Sequence, residues 1–388
     1  MKSKSESKSV LIVAAEASSA LYARRLLQYW RDSAEGVSAF GVGDQTMVDL
    51  GFEALGRAED MAVVGIQEVL AHLKDIKTVY RQLLAQVELR KPRFALLLDY
   101  PEFNLRLAKD LKSLGVRVVY YISPQVWAWR KGRIRHIKKY VDEVLTIFPF
   151  ENEFYQGHGV AVEFVGHPLL DELDESQLLE EKRTQARQRY GMDGHHVVLG
   201  LMPGSRRSEI KNHLELQLEV ARRLKQTNSN LKVAVLVAPG LSVELIQEYL
   251  KDARFPVIIL RDEPFNMIQL ADVVLCASGT ATVMVGLLQK PMVVMYRMNC
   301  FSAFLAKCLV GGLENFAMVN LILGKSVVAE RFQGAANANE LCGLLQNLIS
   351  HKDQRESIAL ELSHLRTRLG SNGATARVAK NLQKYFGD

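Results

Sequence analysis

The chain has 388 residues, a formal net charge of +6, and a composition that is 48% apolar and 24% charged. These are ordinary values for a globular protein long enough for two domains, so disordered and fibrous classes are excluded. Cys276, Cys300, Cys308 and Cys342 form no closely spaced pair, which suggests neither a zinc site nor a disulfide framework and fits a reducing compartment.

The mild positive charge favours anionic partners such as phosphates, acidic headgroups or nucleic acid, without choosing among them. The opening MKSKSESKSV lacks the apolar core of a signal peptide, and no apolar run reaches the roughly 20 residues needed to span a bilayer. The expectation is a cytoplasmic protein able to lie on a membrane surface.

In chain order, strands are predicted at 10–17, 37–43, 94–100, 116–123, 143–148 and 162–166, with helices between them, such as 21–32 and 103–115. The runs lack polar alternation, so they read as strands buried on both faces. The stretch 61–76 reads as a helix crowded with Val63, Val64, Ile66, Val69, Leu70 and Leu73. These residues form either a core face or an exposed patch for acyl chains. The charged stretch 171–195 has no strand and reads as a helix and linker. Strands resume at 197–204, 232–240, 257–261, 273–278 and 291–297, and the chain from Asn337 onward has a helical pattern.

This alternation predicts an α/β protein of two Rossmann-like, doubly wound parallel-sheet domains facing across a cleft. Ligands are then expected beyond the carboxyl ends of the strands, where the strand order reverses.

Several motifs sit at such ends. In LMPGSRRSE, Gly204, Ser205 and Arg206 turn from a strand into a helix, an anion site or simply a solvated turn. Ser278, Gly279 and Thr280 open another helix, and two such turns on one sheet suit a nucleotide diphosphate. Asp99 ends a buried strand as either a general base or a turn cap, and Glu16 has a similar position. Trp127 and Trp129 precede the basic run Arg130 to Lys139, which suits a sugar phosphate, a membrane surface or nucleic acid, or is a solvated helix face. His167, Glu330 and Gln333 are unremarkable by position. No HExxH, P-loop or GxGxxG motif is present, nor a D-x-D pair of the kind that holds a divalent metal for sugar-nucleotide enzymes.

Taken together the motifs resemble the lipid-A-disaccharide synthase family, inverting glycosyltransferases of the GT-B fold. The resemblance runs nearly end to end and includes AEAS (15–18), GVGD (41–44), KPRFALLLDYPEFN (91–104), YISPQVWAWR (121–130), FVGH (164–167), PGSRRSEI (203–210), ASGTAT (277–282), PMVVMYRM (291–298) and NLILG (320–324). It implies transfer of a diacylglucosamine from UDP-2,3-diacylglucosamine to 2,3-diacylglucosamine 1-phosphate, giving a β-1,6 disaccharide and UDP, with no cofactor or metal. It makes Asp99 the base, with Glu16 beside it. Arg206 would stabilise the departing UDP, and Gly204, Ser205, Ser278, Gly279, Thr280, Arg297, Asn320 and Gln333 would hold the donor. Val64, Ile66, Val69, Leu70, Trp127, Trp129 and Arg130 are the expected lipid contacts.

The implied organisation is an acceptor domain at 1–170 joined by a returning tail at 355–388, a linker at 171–195 and a UDP-sugar domain at 196–354. The expected partners are the two lipid substrates, the cytoplasmic face of the inner membrane and a second copy of the chain, but no nucleic acid.

Three departures stand out. The family's GEASGD reads Ala15-Glu16-Ala17-Ser18-Ser19-Ala20 here, Met284 replaces the glutamate of SGTAxxE, and Val319 replaces the proline of PNL. These leave open a paralogue with altered donor use or a silent binding protein. Another GT-B enzyme of UDP-N-acetylglucosamine is the remaining rival.

Overall fold

The computed structural model describes residues 8–61, 66–124, 126, 131–173, 176, 179–297 and 315–387. The chain divides into two compact units, Met1–Asp171 with Gly370–Asp388, and Glu172–Leu369.

The first unit is built on a seven-stranded, wholly parallel sheet. Its strands are β1 (Lys8–Ala14), β2 (Val37–Gly43), β3 (Glu53–Arg57), β4 (Phe94–Leu98), β5 (Arg117–Tyr121), β6 (Glu143–Thr146) and β7 (Val162–Phe164). Their spatial order is 3-2-1-4-5-6-7. The central strands are apolar along their whole length because helices cover both faces; all five residues of β4 are buried. On one face, Leu11, Val13, Ala95 and Leu97 pack with Leu107, Ala108 and Leu111 of the helix Pro101–Ser113 and Leu83 and Val87 of the helix Ile66–Arg90.

The second unit repeats the plan with β8 (Val197–Met202), β9 (Leu231–Leu236), β10 (Ile258–Leu260), β11 (Val273–Ala277), β12 (Met292–Tyr296) and β13 (Ala329–Phe332), in the order 10-9-8-11-12-13. Every pairing is parallel. The core lies between the sheet and the amphipathic helices Arg207–Thr227 and Ala338–Ser350, where Ile210, Leu214 and Ala221 meet Leu341 and Leu345.

Two strands, β3 and β13, have no counterpart in the sequence reading. Both are edge strands with polar sequences, EALGR and AERF, and no residue of either is fully buried, so neither carries an apolar run. The first helix starts at Ala17, and the helix after Asp99 starts at Pro101, a position where proline's fixed φ and missing N–H suit a helix start.

Residues 172–195 fold with the second unit rather than forming a free linker. Arg183 and Arg187 of the helix Glu180–Arg189 both pair with Asp272, and Arg187 Nε donates to Leu270 O at 3.1 Å. The tail changes units at Gly370, not at 355. The helix Lys352–Leu369 belongs to the second unit, where Leu365 packs so tightly on Gly286 that a Cβ there would meet its Cδ2 at 2.8 Å.

From Gly370 the tail docks on the first unit. The Asp171 carboxylate accepts from the amides of Gly373, Ala374 and Thr375 at 2.6, 3.2 and 2.9 Å, and from Thr375 Oγ1 at 2.8 Å. It thus satisfies the open amides of the helix Ala374–Leu382. Further along, Lys384 Nζ and Tyr385 OH each reach the buried Glu143 carboxylate at 2.8 Å, and Phe386 packs edge-on against Trp30 and Phe94.

His167 lies in the same region, 1% exposed, with Nδ1 accepting from the Leu169 amide at 3.1 Å. Burial lowers its pKa from 6.5 to about 3. The folded ring is therefore neutral where the unfolded one takes up a proton. Its contribution is complete above pH 6.5 and is lost as pH falls from 6.5 toward 3, at about 1.4 kcal/mol per pH unit. We expect urea unfolding at pH 6.5 and 4.5 to show wild type losing roughly 2–3 kcal/mol more than His167→Asn. Equal losses would mean that His167 protonates freely in the fold.

Candidate active site

In each unit the strand order reverses between two adjacent central strands, β1 and β4 in the first and β8 and β11 in the second. Neighbouring crossovers diverge there and leave a crevice at the carboxyl ends.

At the first reversal, Glu16 lies two residues beyond β1 and Asp99 immediately follows β4; the strands pair through Ala14 and Leu98. Glu16 is the N-cap of the helix Ala17–Asp32. Its amide donates to Ser19 Oγ at 3.0 Å, and that hydroxyl donates to the Glu16 carbonyl at 2.8 Å. Ser19, where the family has glycine, thus closes the first turn. Ala20, where the family has aspartate, is fully buried.

The Asp99 turn is strained. Asp99, Tyr100 and Ile122, which follows the neighbouring β5, have φ of 47°, 45° and 58°. For a β-branched residue this is an outlier, and each such residue costs on the order of 1–3 kcal/mol. Local bonds hold the turn. The Asp99 amide donates to Ile122 O at 3.2 Å, and the Asp99 carbonyl accepts from Asn104 Nδ2 at 2.7 Å and from Tyr120 OH at 2.6 Å. Asn104 is fully buried, and its Oδ1 has no partner among the described residues.

Tyr100 OH donates to Met61 O at 2.9 Å; burial raises its pKa, and the Glu16 charge adds to the effect. Two carboxylates therefore stand at adjoining strand ends. Sequence reasoning missed Asn104 and Tyr120; the closing Asn of DYPEFN is the only signal for either.

At the second reversal, β8 leads into Pro203-Gly204-Ser205-Arg206 and β11 into Ser278-Gly279-Thr280. Gly204 has φ +127°, and a Cβ would lie 2.4 Å from Glu209 Oε2, so only glycine fits. Glu209 is the third residue of the helix Arg207–Thr227. Its Oε2 accepts from the amides of Ser205 at 2.8 Å and Arg206 at 3.3 Å. The protein's own carboxylate thus takes two amides that the sequence assigns to a phosphate, and the Arg206 guanidinium lies 40% exposed at the same turn, 3.7 Å from Glu209.

Gly279 has φ +143° and open space where a Cβ would stand, so the backbone is accessible; Thr280 is the exposed N-cap of the helix Ala281–Leu287. Beneath them Cys276 is fully buried, which pushes its thiol pKa up to about 12 and keeps it protonated.

Arg297 follows β12, and Gln333, at φ +52°, follows β13. With β8 and β11 these make four adjoining strand ends, a row roughly 14 Å long at about 4.8 Å per strand. Gly204, Ser205, Arg206, Ser278, Gly279, Thr280, Arg297 and Gln333 all lie on it. Burial raises the Tyr296 pKa; Glu209 adds to this and Arg206 opposes it, so all three are within electrostatic reach.

Asn320 is not available to a ligand. It is fully buried, Nδ2 donates to Val328 O and Glu330 Oε1 at 2.8 and 2.5 Å, and Oδ1 accepts from the amides of Val327 and Val328 at 2.9 and 3.0 Å. Glu330 is occupied as well: Oε2 takes the amides of Phe316 and Ala317, both at 2.8 Å, ahead of the helix Met318–Leu323.

Val64, Trp127, Trp129 and Arg130 lie outside the described residues, and the backbone of Ile66, Val69 and Leu70 falls in the helix Ile66–Arg90. In the basic run, Arg133 pairs with Glu102 and Lys139 lies over the Tyr140 ring at 5.3 Å, so part of its charge serves the fold. No helix among the described residues is long and apolar enough to cross a membrane.

Comparison with known proteins places this geometry. The chain resembles in fold the UDP-GlcNAc 2-epimerase of Neisseria meningitidis solved with UDP-GlcNAc (TM-score 0.65, 12% identity, 97% of this chain and 99% of that one). It also resembles a glycosyltransferase of Rickettsia africae (TM-score 0.56, 10% identity, 97% of each chain). In sequence it is 38% identical over 372 residues to the lipid-A-disaccharide synthase of Trichlorobacter lovleyi, with 96% of each chain covered. It is 35% identical over 380 residues to that of Geobacter metallireducens, with 98% of each covered. The family model described as lipid-A-disaccharide synthetase matches residues 10–383. The chain therefore belongs to the lipid-A-disaccharide synthase family, the glycosyltransferases that form the lipid A disaccharide.

Proposed function

We propose that the chain transfers 2,3-diacylglucosamine from UDP-2,3-diacylglucosamine to the 6-hydroxyl of 2,3-diacylglucosamine 1-phosphate. The observation that carries this reading is the content of the two strand-order reversals. One bears carboxylates on a braced turn, and the other bears an exposed arginine beside an accessible glycine turn.

In this reaction the acceptor oxygen bonds to the anomeric carbon as the bond from that carbon to the UDP oxygen breaks, with inversion. Asp99 takes the hydroxyl proton, and its backbone is held by Asn104, Tyr120 and Ile122. Glu16, the helix N-cap at the adjoining strand end, orients the acceptor. The negative charge that develops on UDP falls to the Arg206 and Arg297 guanidiniums and the turn at Ser278–Thr280. Gln333 lies at the far end of that row. Met284 lies one helical turn beyond Thr280, and its thioether is a weak acceptor, so ribose binding here relies on groups other than a carboxylate.

The acylated substrates call for an apolar entrance at a membrane. The segment Val64, Ile66, Val69 and Leu70 suits it, with Trp127, Trp129 and Arg130 meeting headgroups at the cytoplasmic face of the inner membrane. A homodimer completes the proposal.

Asp99→Asn is expected to lower transfer by about 10²–10⁴-fold, measured as UDP release from the diacylated donor in the presence of acceptor, with UDP affinity unchanged. Wild-type turnover in the purified variant would remove Asp99 from the chemistry. Arg206→Ala is expected to weaken UDP binding about ten- to a hundredfold by calorimetry, the worth of one charge-assisted contact. Unaltered affinity would place Arg206 outside the site. Replacing Val64, Ile66 and Leu70 by serine is expected to abolish co-sedimentation with anionic vesicles while leaving the melting temperature near wild type; a collapsed melting temperature would identify them as core.

A further inference from the structure

The helix Arg207–Thr227 presents two polar side chains, His213 and Gln217, to the interior of the second unit, and both are fully buried. They are four residues apart and so lie on one face. His213 Nδ1 is 2.8 Å from Pro203 O, and Nε2 is 3.0 Å from both the amide nitrogen and the carbonyl oxygen of Arg297. A carbonyl can only accept, so Nδ1 donates to Pro203 O, while Nε2 meets the Arg297 backbone. The ring also packs on Tyr296, with centroids 5.3 Å apart. Pro203 opens the turn after β8 and Arg297 follows β12, and β11 lies between those strands. One imidazole therefore ties two turns that the sheet does not pair directly.

Gln217 works a turn deeper, beneath strands that the sheet already pairs, and also reaches Met295 Sδ of β12 at 3.8 Å. Its Nε2 donates to Met202 O and Leu275 O, both at 3.3 Å, near the ends of β8 and β11, and its Oε1 has no partner among the described residues. Packing a helix on a sheet requires neither group. An apolar residue of similar volume would fill each place without the cost of burying polar atoms.

We infer that His213 and Gln217 are positioning residues that fix the Arg206 turn and Arg297 relative to each other, so that both guanidiniums meet one diphosphate. This inference rests on the reading of the second unit's strand ends as the UDP site. Neither side chain touches the ligand. His213 acts through the backbone of Arg297 and of Pro203 before the Arg206 turn, and Gln217 through Met202 and Leu275 beneath the turns, so loss of either is felt as a misplaced cation rather than as a lost contact.

The test compares wild type, His213→Leu, His213→Gln and Gln217→Met by UDP calorimetry, donor and acceptor KM, and thermal melting. Glutamine retains one donor and one acceptor, whereas leucine and methionine retain only bulk. A sub-ångström to ångström shift of binding groups costs on the order of ten- to a hundredfold. We expect His213→Leu and Gln217→Met to weaken UDP and raise the donor KM by about that factor, with the acceptor KM unchanged. His213→Gln is expected to recover most of the loss.

If wild type binds UDP and a folded His213→Leu binds it equally well, the positioning role is wrong while the site stands. If His213→Leu is not recovered folded, Gln217→Met decides on the same readouts. If wild type does not bind UDP, the reading of the site itself fails. A rise in both KM values together, or leucine and glutamine variants that match, would mean that His213 serves only packing.

Discussion

A parallel sheet sends every strand out through the same edge, and the rest of this structure follows from that constraint. Seven strands in the first unit and six in the second all end on one side of their sheet, so the turns from strand to helix collect in a row. Where the order reverses, the neighbouring helices leave in opposite directions and the turns stay uncovered. Asp99 and Glu16 in one unit, and Arg206 and Ser278–Thr280 in the other, occupy those uncovered places. No long-range coincidence is needed to gather them.

Four of the seven non-glycine residues with left-handed φ among the described residues lie at this same edge, the others being Ala34, Lys91 and Gln289. Asp99, Tyr100, Ile122 and Gln333 are non-glycine residues with left-handed φ, each within two residues of a strand end. Such strain persists only where the surroundings over-determine it. Around Asp99 the surroundings are Asn104 and Tyr120, buried donors that converge on one carbonyl. In the second unit Glu209, His213 and Gln217 do the comparable work, each bonding to backbone at a strand end. Polar groups buried beneath the turns thus keep the exposed groups above them in place.

What could be read from the sequence divides along the same physical line. Central strands announce themselves because burial on both faces demands continuous apolar residues. The edge strands β3 and β13 face no such demand and passed unread. The strand-end turns at Asp99, Gly204 and Gly279 were legible because a left-handed backbone at a strand end leaves a local signature. Asn320 was misassigned because a motif does not reveal whether an amide's hydrogen bonds are already spent, and here all are spent on Val327, Val328 and Glu330. The bracing groups were invisible for a different reason: Tyr120 lies 21 residues from Asp99, and His213 lies 84 from Arg297, and no local pattern reports a contact of that range. The domain limits erred for the same reason. The helices Glu180–Arg189 and Lys352–Leu369 are charged and look detachable, yet Asp272 holds the first and Gly286 admits Leu365 of the second.

On the proposed function the carboxyl ends of β8, β11, β12 and β13 form one anion-binding row for the diphosphate. Amide hydrogen exchange with and without saturating UDP tests it most directly. The expected result is slowed exchange at the turns after these four strands, residues 204–206, 278–282, 297 and 333, with the amino ends of the same strands unchanged. Protection confined to the amino ends, or to a surface that includes none of these turns, would contradict it.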